Sequence, residues 1–550
     1  MNTIQWQTAA WLAGFFVLAI LQGYQLGIGD LSTYLAFVWH KFDPALLNND
    51  LLIETLGDHP VYIWDAVALL LNVANVQTVF LGLFFLQTAL MIAAVFLFYR
   101  QFFGENNGWL VLALTLVLGT SAAAMGEYGL NPYGYFHPNV VAVAIALLAF
   151  VLLDRGNWLS GAALCGSIFL FHPFTALYAA LFFGYKWLLG FRQTTVFTKI
   201  GSAAIFLLIS APSWLPMLPK ILAGAPPQFD VSLWLDLVRQ RMRFSFFASQ
   251  WVPDRWVHLG LAGFGLWFFR HHPAFRRLLP VVLGTLTALV LFVLADVFTV
   301  KFLLQLQLAR CSYFLFIVLC AFIAHNIATT NDSPKSPLII WLLLGIVFMF
   351  ENVVDDRTLS VRMIVLVGLA LLLVYLFWRQ PVHWQRIYLA GTLAAVLLVT
   401  GEKTVERIAE TGRIFDTTLT TPWEDMQVWC AQNTPTDALL MTPIYIEGFR
   451  SFSKRPIYGT YKDGAPHNYS RKTIFRWWAR MQALGLSLPW NRAAFPSLYH
   501  QHALSVAREN NIRFVIYEKS IALPPLAPLY ENQQFAIFET PALQDSFATN

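Results

Sequence analysis

The sequence predicts an α-helical polytopic membrane protein with about 13 transmembrane helices and a small C-terminal α/β domain on the extracytoplasmic side. The first observation is composition: 57% of the residues are hydrophobic and only 12% are charged, with a mean hydropathy of +0.56. The second is spacing, because apolar stretches long enough to cross a bilayer recur as far as Gly401. Beyond Gly401 the composition becomes that of a water-soluble domain, so we predict a domain boundary between residues 401 and 402.

Charge and cysteine content exclude several classes of protein. The net charge of +5 is spread along the chain, and no run rich in Lys and Arg indicates a nucleic-acid partner. Cys165, Cys311, Cys320 and Cys430 lie far apart, so neither a disulfide framework nor a zinc site is predicted. The first apolar segment follows no basic region and precedes no small-residue cleavage site, so we expect it to remain as a helix.

The candidate spans are apolar stretches of about 15 to 25 residues, since ~20 residues are needed to cross ~30 Å of hydrocarbon. They lie near 8–26, 77–99, 109–125, 138–153, 157–171, 174–190, 199–218, 257–270, 278–299, 303–328, 338–351, 361–378 and 387–401. The run from Ala66 to Tyr99 is too long for one span and contains Asn72, Asn75 and Gln77. We therefore expect its first part to lie at the membrane interface or inside the helix bundle.

The distribution of lysine and arginine predicts a cytoplasmic N-terminus. This orientation places on the cytoplasmic side Arg100, Arg155, Lys186, Arg192, Lys199, Arg270, Arg276, Arg277, Lys335, Arg379 and Arg386. The predicted loop 219–256 is an exception, because it would lie outside with Arg239, Arg241, Arg243 and Arg255. A basic cluster on that side is tolerable if it binds an anion.

An odd number of spans places residues 402–550 outside. Within them, Thr421-Pro422-Trp423-Glu424 predicts a capping box and a proline at the first position of a helix that extends to about Gln432. Further predicted elements are strands at Ala438–Thr442, Pro456–Tyr461, Ile512–Glu518 and Phe535–Glu539, and helices at Arg471–Leu484 and Ser497–Asn510.

The first predicted outer loop, residues 27–65, is acidic. Against the single Lys41 it carries Asp30, Asp43, Asp50, Glu54, Asp58 and Asp65. A carboxylate beside a bilayer has to be solvated, paired or metal-bound, because burying it alone in hydrocarbon costs ~3 kcal/mol. The loop is therefore a hypothetical functional site, and the alternative is that these side chains only keep a loop hydrated.

Four sets of residues suggest a family. They are Gly29-Asp30, Tyr34, Asp43-Pro44 and Asn49-Asp50; Glu127, Asn131-Pro132 and His137-Pro138; Phe171-His172-Pro173-Phe174; and Gln305, Gln307 and Arg310 with Trp429, Thr434-Pro435, Gly448-Phe449-Arg450, Arg455 and Lys462-Asp463. Together with the predicted helices, acidic first loop and outer domain, they resemble the GT-C superfamily of integral-membrane glycosyltransferases.

The resemblance implies transfer of a sugar from a polyprenyl-phosphate-type lipid carrier to an acceptor at the outer face of the membrane. It also implies location in a bacterial inner membrane, with the lipid-linked sugar donor and membrane lipids as partners. Trp477-Trp478 is followed by Ala479, unlike the WWD-type motif of oligosaccharyltransferases, so that role is disfavoured. These residues do not determine the sugar or whether the acceptor is a glycan, a lipid or a protein.

The acidic residues have predicted catalytic roles under this resemblance. Asp30 is suited to take the proton of the acceptor hydroxyl, because it follows Gly29, where the backbone can approach a substrate. Asp50 and Glu127 are predicted second carboxylates that orient the acceptor or hold, with Asp30, a divalent cation such as Mg²⁺ or Mn²⁺. For Asp30 the alternative is a role only in capping the following helix.

Three arginines are predicted to bind the lipid phosphate. Arg310 lies in the predicted span 303–328, where a guanidinium needs a partner and a phosphate offers a bidentate one. Arg241 and Arg243 belong to the basic loop. The alternatives are an internal salt bridge from Arg310 to a carboxylate such as Asp296, and interfacial snorkelling of the other two arginines.

Tyr34, His137 and His172 complete the predicted substrate contacts. Each histidine precedes a proline, so the alternative is a hydrogen-bonded histidine at a helix break. Two other classes of function also fit intramembrane polar residues: a transporter or flippase of a lipid-linked or small hydrophilic substrate, and a non-catalytic scaffold in envelope polysaccharide assembly. The absence of an internal repeat and the one-sided outer domain disfavour the transporter.

Overall fold

The computed structural model describes residues 14–15, 19–20, 23–58, 61–104, 108, 110–111, 134–190, 194–222, 229–251, 253–329, 405, 408, 415–416, 421–521 and 523–541. The chain divides into two compact units. The helical unit comprises Met1–Tyr24, Leu83–Ala211 and Arg243–Phe415, and the mixed unit comprises Gln25–Gly82, Pro212–Met242 and Asp416–Asn550. The acidic segment 27–65 thus shares a unit with the C-terminal part, while the predicted boundary at 401 and 402 lies outside the described residues.

The described α-helices are numbered in chain order. They are α1 (Leu31–Phe42), α2 (Ile63–Leu70), α3 (Val76–Phe103), α4 (Pro138–Asp154), α5 (Trp158–Ser167), α6 (Pro173–Leu189), α7 (Val196–Trp214), α8 (Leu218–Leu222), α9 (Val231–Phe246), α10 (Pro253–Phe268), α11 (Pro273–Val297), α12 (Lys301–Gln305), α13 (Tyr313–Thr329), α14 (Pro422–Asn433), α15 (Arg450–Ser453), α16 (Gly464–His467), α17 (Ile474–Ala483) and α18 (Phe495–Glu509). Short 3₁₀ helices lie at Ile53–Asp58, Ile168–Leu170, Leu215–Met217, Ala248–Gln250, Leu308–Ser312 and Arg492–Ala494.

Four described helical stretches are long and apolar enough, by length and composition, to cross a membrane: Val76–Phe103, Val196–Met217, Pro273–Val297 and Leu308–Asn326. Pro138–Asp154 and Trp158–Leu170 are shorter apolar helices. The predicted spans near 338–351, 361–378 and 387–401, and most of 8–26 and 109–125, lie outside the described residues. The total of about 13 spans therefore stays a prediction.

Three helices of the helical unit begin with the same His-Pro step. His137, His172 and His272 precede the first residues of α4, α6 and α11, and the Nδ1 atom of each accepts a hydrogen bond from a backbone N–H of the first turn, at 3.0, 3.3 and 3.1 Å. The following proline has no N–H to leave unpaired and its φ suits a first helical position. This is the hydrogen-bonded histidine at a helix break that the sequence offered as the alternative.

The predicted outer segment 219–256 contains the helix α9, which carries Arg241. One local expectation was wrong. The predicted helix 303–328 is interrupted between α12 and α13, where Gln307 has a left-handed φ of +50°. Arg310 consequently lies in a 3₁₀ turn and not in a regular α-helix.

In the mixed unit, α1 positions the start of the acidic segment. It follows a turn in which Gly27 and Gly29 have φ values of +82° and +56°, conformations that glycine adopts without the penalty of a Cβ atom. It ends at Phe42 because Asp43, which precedes Pro44, is extended, as the residue before a proline prefers. Most of α1 from Leu31 to Trp39 is buried, so packing fixes the start of the helix.

The C-terminal part of the mixed unit contains β3 (Leu440–Met441), β4 (Phe514–Glu518), β5 (Pro528–Glu531) and β6 (Phe535–Glu539); β1 (Tyr24–Gln25) and β2 (Phe415–Asp416) precede them. The strands β3 to β6 form one sheet in the order β3-β4-β6-β5. In this sheet β3 is parallel to β4, and the other neighbouring strands are antiparallel. Met426 and Cys430 of α14 pack with Leu440, Phe514 and Ile537 in the core of this part.

The local signals of the C-terminal part are confirmed where they involve neighbouring residues. Thr421 Oγ1 accepts from Glu424 N at 3.2 Å and Glu424 Oε2 accepts from Thr421 N at 3.0 Å, which is the predicted capping box. The strand predicted at Pro456–Tyr461 is wrong, since Ile457 makes only a single parallel bridge to Leu440. The strand β5 and the one-turn helices α15 and α16 were not predicted.

Candidate functional site

Asp30 lies beside a lysine of the C-terminal part of the mixed unit. Its Oδ1 atom is 2.8 Å from Lys462 Nζ, and the two side chains are 22% and 27% exposed. Within the described chain, the Asp30 carboxylate makes no capping hydrogen bond to α1, although the residue occupies the N-cap position. The capping-only alternative therefore does not describe its side chain, which forms an ion pair that solvent can reach.

Glu447 is the second carboxylate beside Lys462. Its Oε1 atom accepts a hydrogen bond of 2.8 Å from the backbone N–H of Gly29, and its Oε2 atom lies 3.9 Å from Lys462 Nζ. Burial by itself would lower the pKa of Lys462, but the carboxylates of Asp30 and Glu447 outweigh burial and hold that pKa above its ordinary value. Lys462 is therefore a permanent cation at neutral pH.

Arg241 fixes the backbone that carries Lys462. Its guanidinium donates to the main-chain oxygens of Tyr461 and Lys462, the latter at 3.4 Å. The same group lies over the rings of Tyr461 and Trp477, at 4.2 and 5.5 Å from their centroids. The predicted anion-binding arginine thus lies next to the Asp30–Lys462 pair and adds positive charge there.

Asp50 lies in a buried cluster with Arg450 and Asp463. Arg450 donates to Asp50 at 2.6 and 2.9 Å and to Asp463 at 2.8 and 2.9 Å. The side chains are at most 6% exposed. Burial by itself would raise the pKa of Asp463, but the Arg450 guanidinium outweighs it and holds that pKa below its usual range.

Tyr34 also belongs to the mixed unit. It lies on α1 and stacks on Trp64 of α2, with ring centroids 4.7 Å apart. The stacking uses one face of the Tyr34 ring. A role of Tyr34 in substrate binding stays a prediction.

His137 and His172 are brought together in the helical unit. Their rings lie 6.2 Å apart. His172 Nδ1 lies 2.9 Å from Thr175 Oγ1, which donates to Asn139 Oδ1 at 2.5 Å, while Gln87 Oε1 accepts from His137 N at 2.8 Å. The two predicted histidines thus take part in a polar network among the starts of α4 and α6.

Arg310 belongs to the same unit. The turn that contains it follows Gln307, whose main-chain oxygen accepts from Tyr178 Oη at 2.6 Å. Asp296, the carboxylate proposed as its alternative partner, accepts from Ser249 N at 2.6 Å. Arg243 is exposed and begins the last segment of the helical unit, so it lies in a different unit from its neighbour Arg241.

The predicted divalent-cation site is only partly described. Glu127 lies outside the described residues. The Asp50 carboxylate accepts from Arg450 and also from Leu52 N and Ile457 N, both at 2.9 Å. In the part of the chain that the structure describes, no group of three His, Cys, Asp or Glu side chains could hold a metal ion.

Sequence reasoning assigned no site role to Glu447, Arg450, Lys462 or Asp463. Lys462-Asp463 and Gly448-Phe449-Arg450 were noted only as part of a resemblance. The local sequence gives no signal for their partners, because Asp50 and Arg450 are 400 residues apart. An available indication was the clustering of charged residues among aromatic ones between Glu447 and Asp463.

Comparison with known proteins gives one short match in sequence. A family model described as a domain of unknown function, DUF6798, matches residues 421–484, a range that contains Glu447, Arg450, Lys462 and Asp463. No curated protein matches the chain.

Solved structures are similar over more of the chain. ArnT from Cupriavidus metallidurans bound to undecaprenyl phosphate has 14% identity and a TM-score of 0.49, covering 98% of this chain and 99% of ArnT. The archaeal oligosaccharyltransferase AglB from Archaeoglobus fulgidus, in complex with an inhibitory peptide and a dolichol-phosphate, has 13% identity and a TM-score of 0.36, covering 93% of this chain and 69% of AglB. At such identities they show neither the substrate nor the catalytic residues of this chain.

Proposed function

We propose that this protein is a membrane glycosyltransferase that moves a sugar from a polyprenyl-phosphate-type lipid carrier to an acceptor at the outer face of the membrane. The observation that supports it most directly is the solvent-accessible pair of Asp30 and Lys462, flanked by Glu447 and Arg241. It combines a carboxylate suited to take a proton with a cation suited to hold a phosphate. Both groups are needed when an acceptor hydroxyl displaces a lipid phosphate.

In the proposed cycle, the donor phosphate exchanges partners with the carboxylate. Lys462 is paired with Asp30 in the free protein, and a phosphate offers it an equally charged and more accessible partner. When Lys462 turns to the phosphate, Asp30 loses its ion pair and becomes a stronger base. Donor binding thus prepares Asp30 for proton transfer.

The chemical step then forms one bond and breaks another. The acceptor oxygen attacks the anomeric carbon of the sugar as the bond from that carbon to the phosphate oxygen breaks. The acceptor proton passes to Asp30, and the electron pair of the broken bond stays on the lipid phosphate, whose charge Lys462 stabilises. The products are the glycosylated acceptor and the polyprenyl phosphate.

Among the remaining predicted residues, only Arg241 enters the proposal. Arg241 holds the backbone of Lys462 and contributes charge near the phosphate. The substrate contacts predicted for Tyr34, His137, His172, Arg243 and Arg310 stay predictions that this proposal does not use. Binding of Mg²⁺ or Mn²⁺ by Asp30, Asp50 and Glu127 stays a prediction from the sequence that this proposal does not use, and no step above depends on a metal. The extracytoplasmic side and a bacterial inner membrane are part of the same proposal.

Binding of the carrier tests the cation separately from the unknown sugar and acceptor. The probe is a polyprenyl phosphate without sugar, added to the purified protein in nanodiscs. Lys462→Gln should weaken its binding by about 1.5 to 3 kcal/mol, the range for a hydrogen bond to a charged group. Lys41→Gln is the matched control, because Lys41 forms an ion pair with Asp65, at 2.5 Å, in the same unit.

Turnover tests the reaction. With a membrane extract supplied as the source of acceptor, a panel of polyprenyl-phosphate sugars should yield free polyprenyl phosphate with the parent protein and far less with Asp30→Asn. Carrier binding without release of polyprenyl phosphate from any donor, together with counterflow in proteoliposomes, would replace the proposal with a flippase. Equal carrier binding by the parent and Lys462→Gln would remove Lys462 from the site.

A further inference from the structure

The buried cluster of Asp50, Arg450 and Asp463 joins parts of the chain that are distant in sequence. One guanidinium faces two carboxylates, with four donor–acceptor distances between 2.6 and 2.9 Å. Removing the guanidinium would leave two buried carboxylates without a cation, which is strongly destabilising. The cluster therefore holds its members in one arrangement.

Backbone groups complete the cluster and extend it. Asp50 accepts from the N–H groups of Leu52 and Ile457, and Asp463 Oδ2 accepts from Thr460 N, each at 2.9 Å. The backbone from Thr460 to Asp463 is thereby fixed on one side of Arg450. Lys462 is part of this fixed stretch, directly before Asp463.

The stretch from Gly27 to Trp39 is held to residues on both sides of Arg450. Trp39 Nε1 donates to Ser451 O at 2.8 Å. A Cβ atom added to Gly448 would lie 2.7 Å from Gly27 O, so the two glycine backbones approach closely. Asp30 lies between these two contacts in sequence, so its backbone is fixed relative to Arg450.

We propose that Arg450 and Asp50 are positioning residues that set Lys462 against Asp30. Arg450 holds the Lys462 stretch through Asp463 and receives Asp50 from the acidic segment, while contacts around Arg450 hold the start of α1. Asp50 then acts through Arg450 and does not touch the reacting atoms. The effect on catalysis rests on the proposed function, whereas the effect on Lys462 does not.

The ionisation of Lys462 reports its position, and it separates positioning from simple electrostatics. If Lys462 moved away from Asp30 and Glu447, its pKa would fall toward the ordinary value for a lysine. Loss of the Arg450 positive charge at fixed geometry would raise that pKa, because a like charge is removed. For Arg450→Gln the two explanations therefore predict opposite signs, whereas for Asp50→Asn both predict a lower pKa.

The experiment is pulse acetylation of the folded protein across alkaline pH, with each lysine quantified by mass spectrometry. Only the neutral amine reacts, so a lower pKa gives faster acetylation. In Arg450→Gln and in the isosteric Asp50→Asn we expect Lys462 to react about threefold faster than in the parent, which corresponds to a pKa lower by about 0.5. Lys472, which is exposed in the same unit, is the internal reference.

Glu54→Gln is the matched control. Glu54 pairs with Arg476 at 2.6 Å, also joins the acidic segment to the C-terminal part, and is exposed. Its loss should leave Lys462 acetylation unchanged. Asp50→Asn keeps the Arg450–Asp463 pair and should fold. Arg450→Lys keeps the positive charge but loses the fork, so faster acetylation of Lys462 in that variant would report positioning alone even if Arg450→Gln does not fold.

Two outcomes would overturn the inference: acetylation of Lys462 at the parent rate, or slower, in folded Asp50→Asn, or an equal acceleration in Glu54→Gln. The second measurement is carrier binding. Asp50→Asn should bind the polyprenyl phosphate severalfold more weakly than the parent, although Asp30 and Lys462 are both present. If the parent itself binds no carrier and transfers no sugar, the proposed function fails, while the acetylation result still decides the positioning role.

Discussion

Lys462 Nζ lies 2.8 Å from Asp30 Oδ1, which joins the N-cap residue of α1 to a residue of the C-terminal part. The pair is half-buried, and a second carboxylate, Glu447, lies 3.9 Å from the same ammonium group. Because Lys462 already holds Asp30 in an ion pair, an anion that competes for Lys462 would release the Asp30 carboxylate to act as a base.

Replacing Asp30 tests the base directly. Asp30→Asn should slow sugar transfer by about 10²- to 10⁴-fold, the range for a positioned acid–base group, and leave the melting temperature nearly unchanged. Asp30→Glu should also be slow, because the longer side chain displaces its oxygens from the reacting geometry. Single-turnover rates measure the effect. Asp65→Asn, in an exposed ion pair of the same unit, is the control, and parental rates in Asp30→Asn would remove Asp30 from the mechanism.

Acid should destabilise the mixed unit through Asp463. Its pKa is held below the usual range in the folded protein, so the stability it contributes is fully present above the unfolded-state pKa of about 3.9 and is lost as pH falls through the folded-state value. We expect the melting temperature to drop below about pH 4. The Asp463→Asn variant should melt at a lower temperature than the parent at pH 7. Its melting temperature should fall less steeply than that of the parent as the pH is lowered. If the melting temperatures of the variant and the parent fell equally steeply with decreasing pH, other carboxylates would dominate acid unfolding.

Arg450 should be among the most sensitive positions for stability. Arg450→Gln leaves Asp50 and Asp463 buried without their cation, a loss of about 3 to 5 kcal/mol in the free energy of unfolding. Arg476→Gln breaks an exposed ion pair, 56% and 45% exposed, and should cost about 1 kcal/mol or less. Denaturant unfolding in detergent, followed by tryptophan fluorescence, measures both, and equal losses would contradict the assigned burial.

Gly448 should tolerate no side chain. It has a φ of +90°, and a Cβ atom would lie 2.7 Å from the main-chain oxygen of Gly27. Gly448→Ala should therefore lower stability by about 2 kcal/mol or more, from backbone strain and the forced separation of the two backbones. Gly57→Ala, where an added Cβ meets no atom within 4 Å, is the control in the same thermal assay. Similar melting temperatures for the two variants would contradict the close approach.

The charge distribution predicts that the C-terminus is outside the cytoplasm. A reporter that is active only in the cytoplasm, fused after Asn550, should be silent, whereas the same reporter fused after Arg192 should be active. A strong signal from the C-terminal fusion would overturn the odd number of spans and the placement of the acidic segment.

Local chemistry was predictable from the sequence, and partners across the chain were not. The capping box of Thr421 and Glu424 depends on four consecutive residues and was predicted correctly. Asp30 was identified as a candidate because an acid near a bilayer needs a partner, but nothing local indicates Lys462. Arg310 was misplaced because the left-handed turn at Gln307 interrupts an otherwise apolar run.

The link between Asp50 and Arg450 also sets an order of events during synthesis. The two residues are 400 positions apart, so at about 5–20 residues per second Asp50 leaves the ribosome roughly 20–80 s before its partner exists. Throughout that interval the acidic segment has to remain hydrated, since its carboxylate has no guanidinium to bury against. The mixed unit consequently matures last, and a chain that stops before Arg450 retains the membrane-inserting helices without the contacts that close this unit.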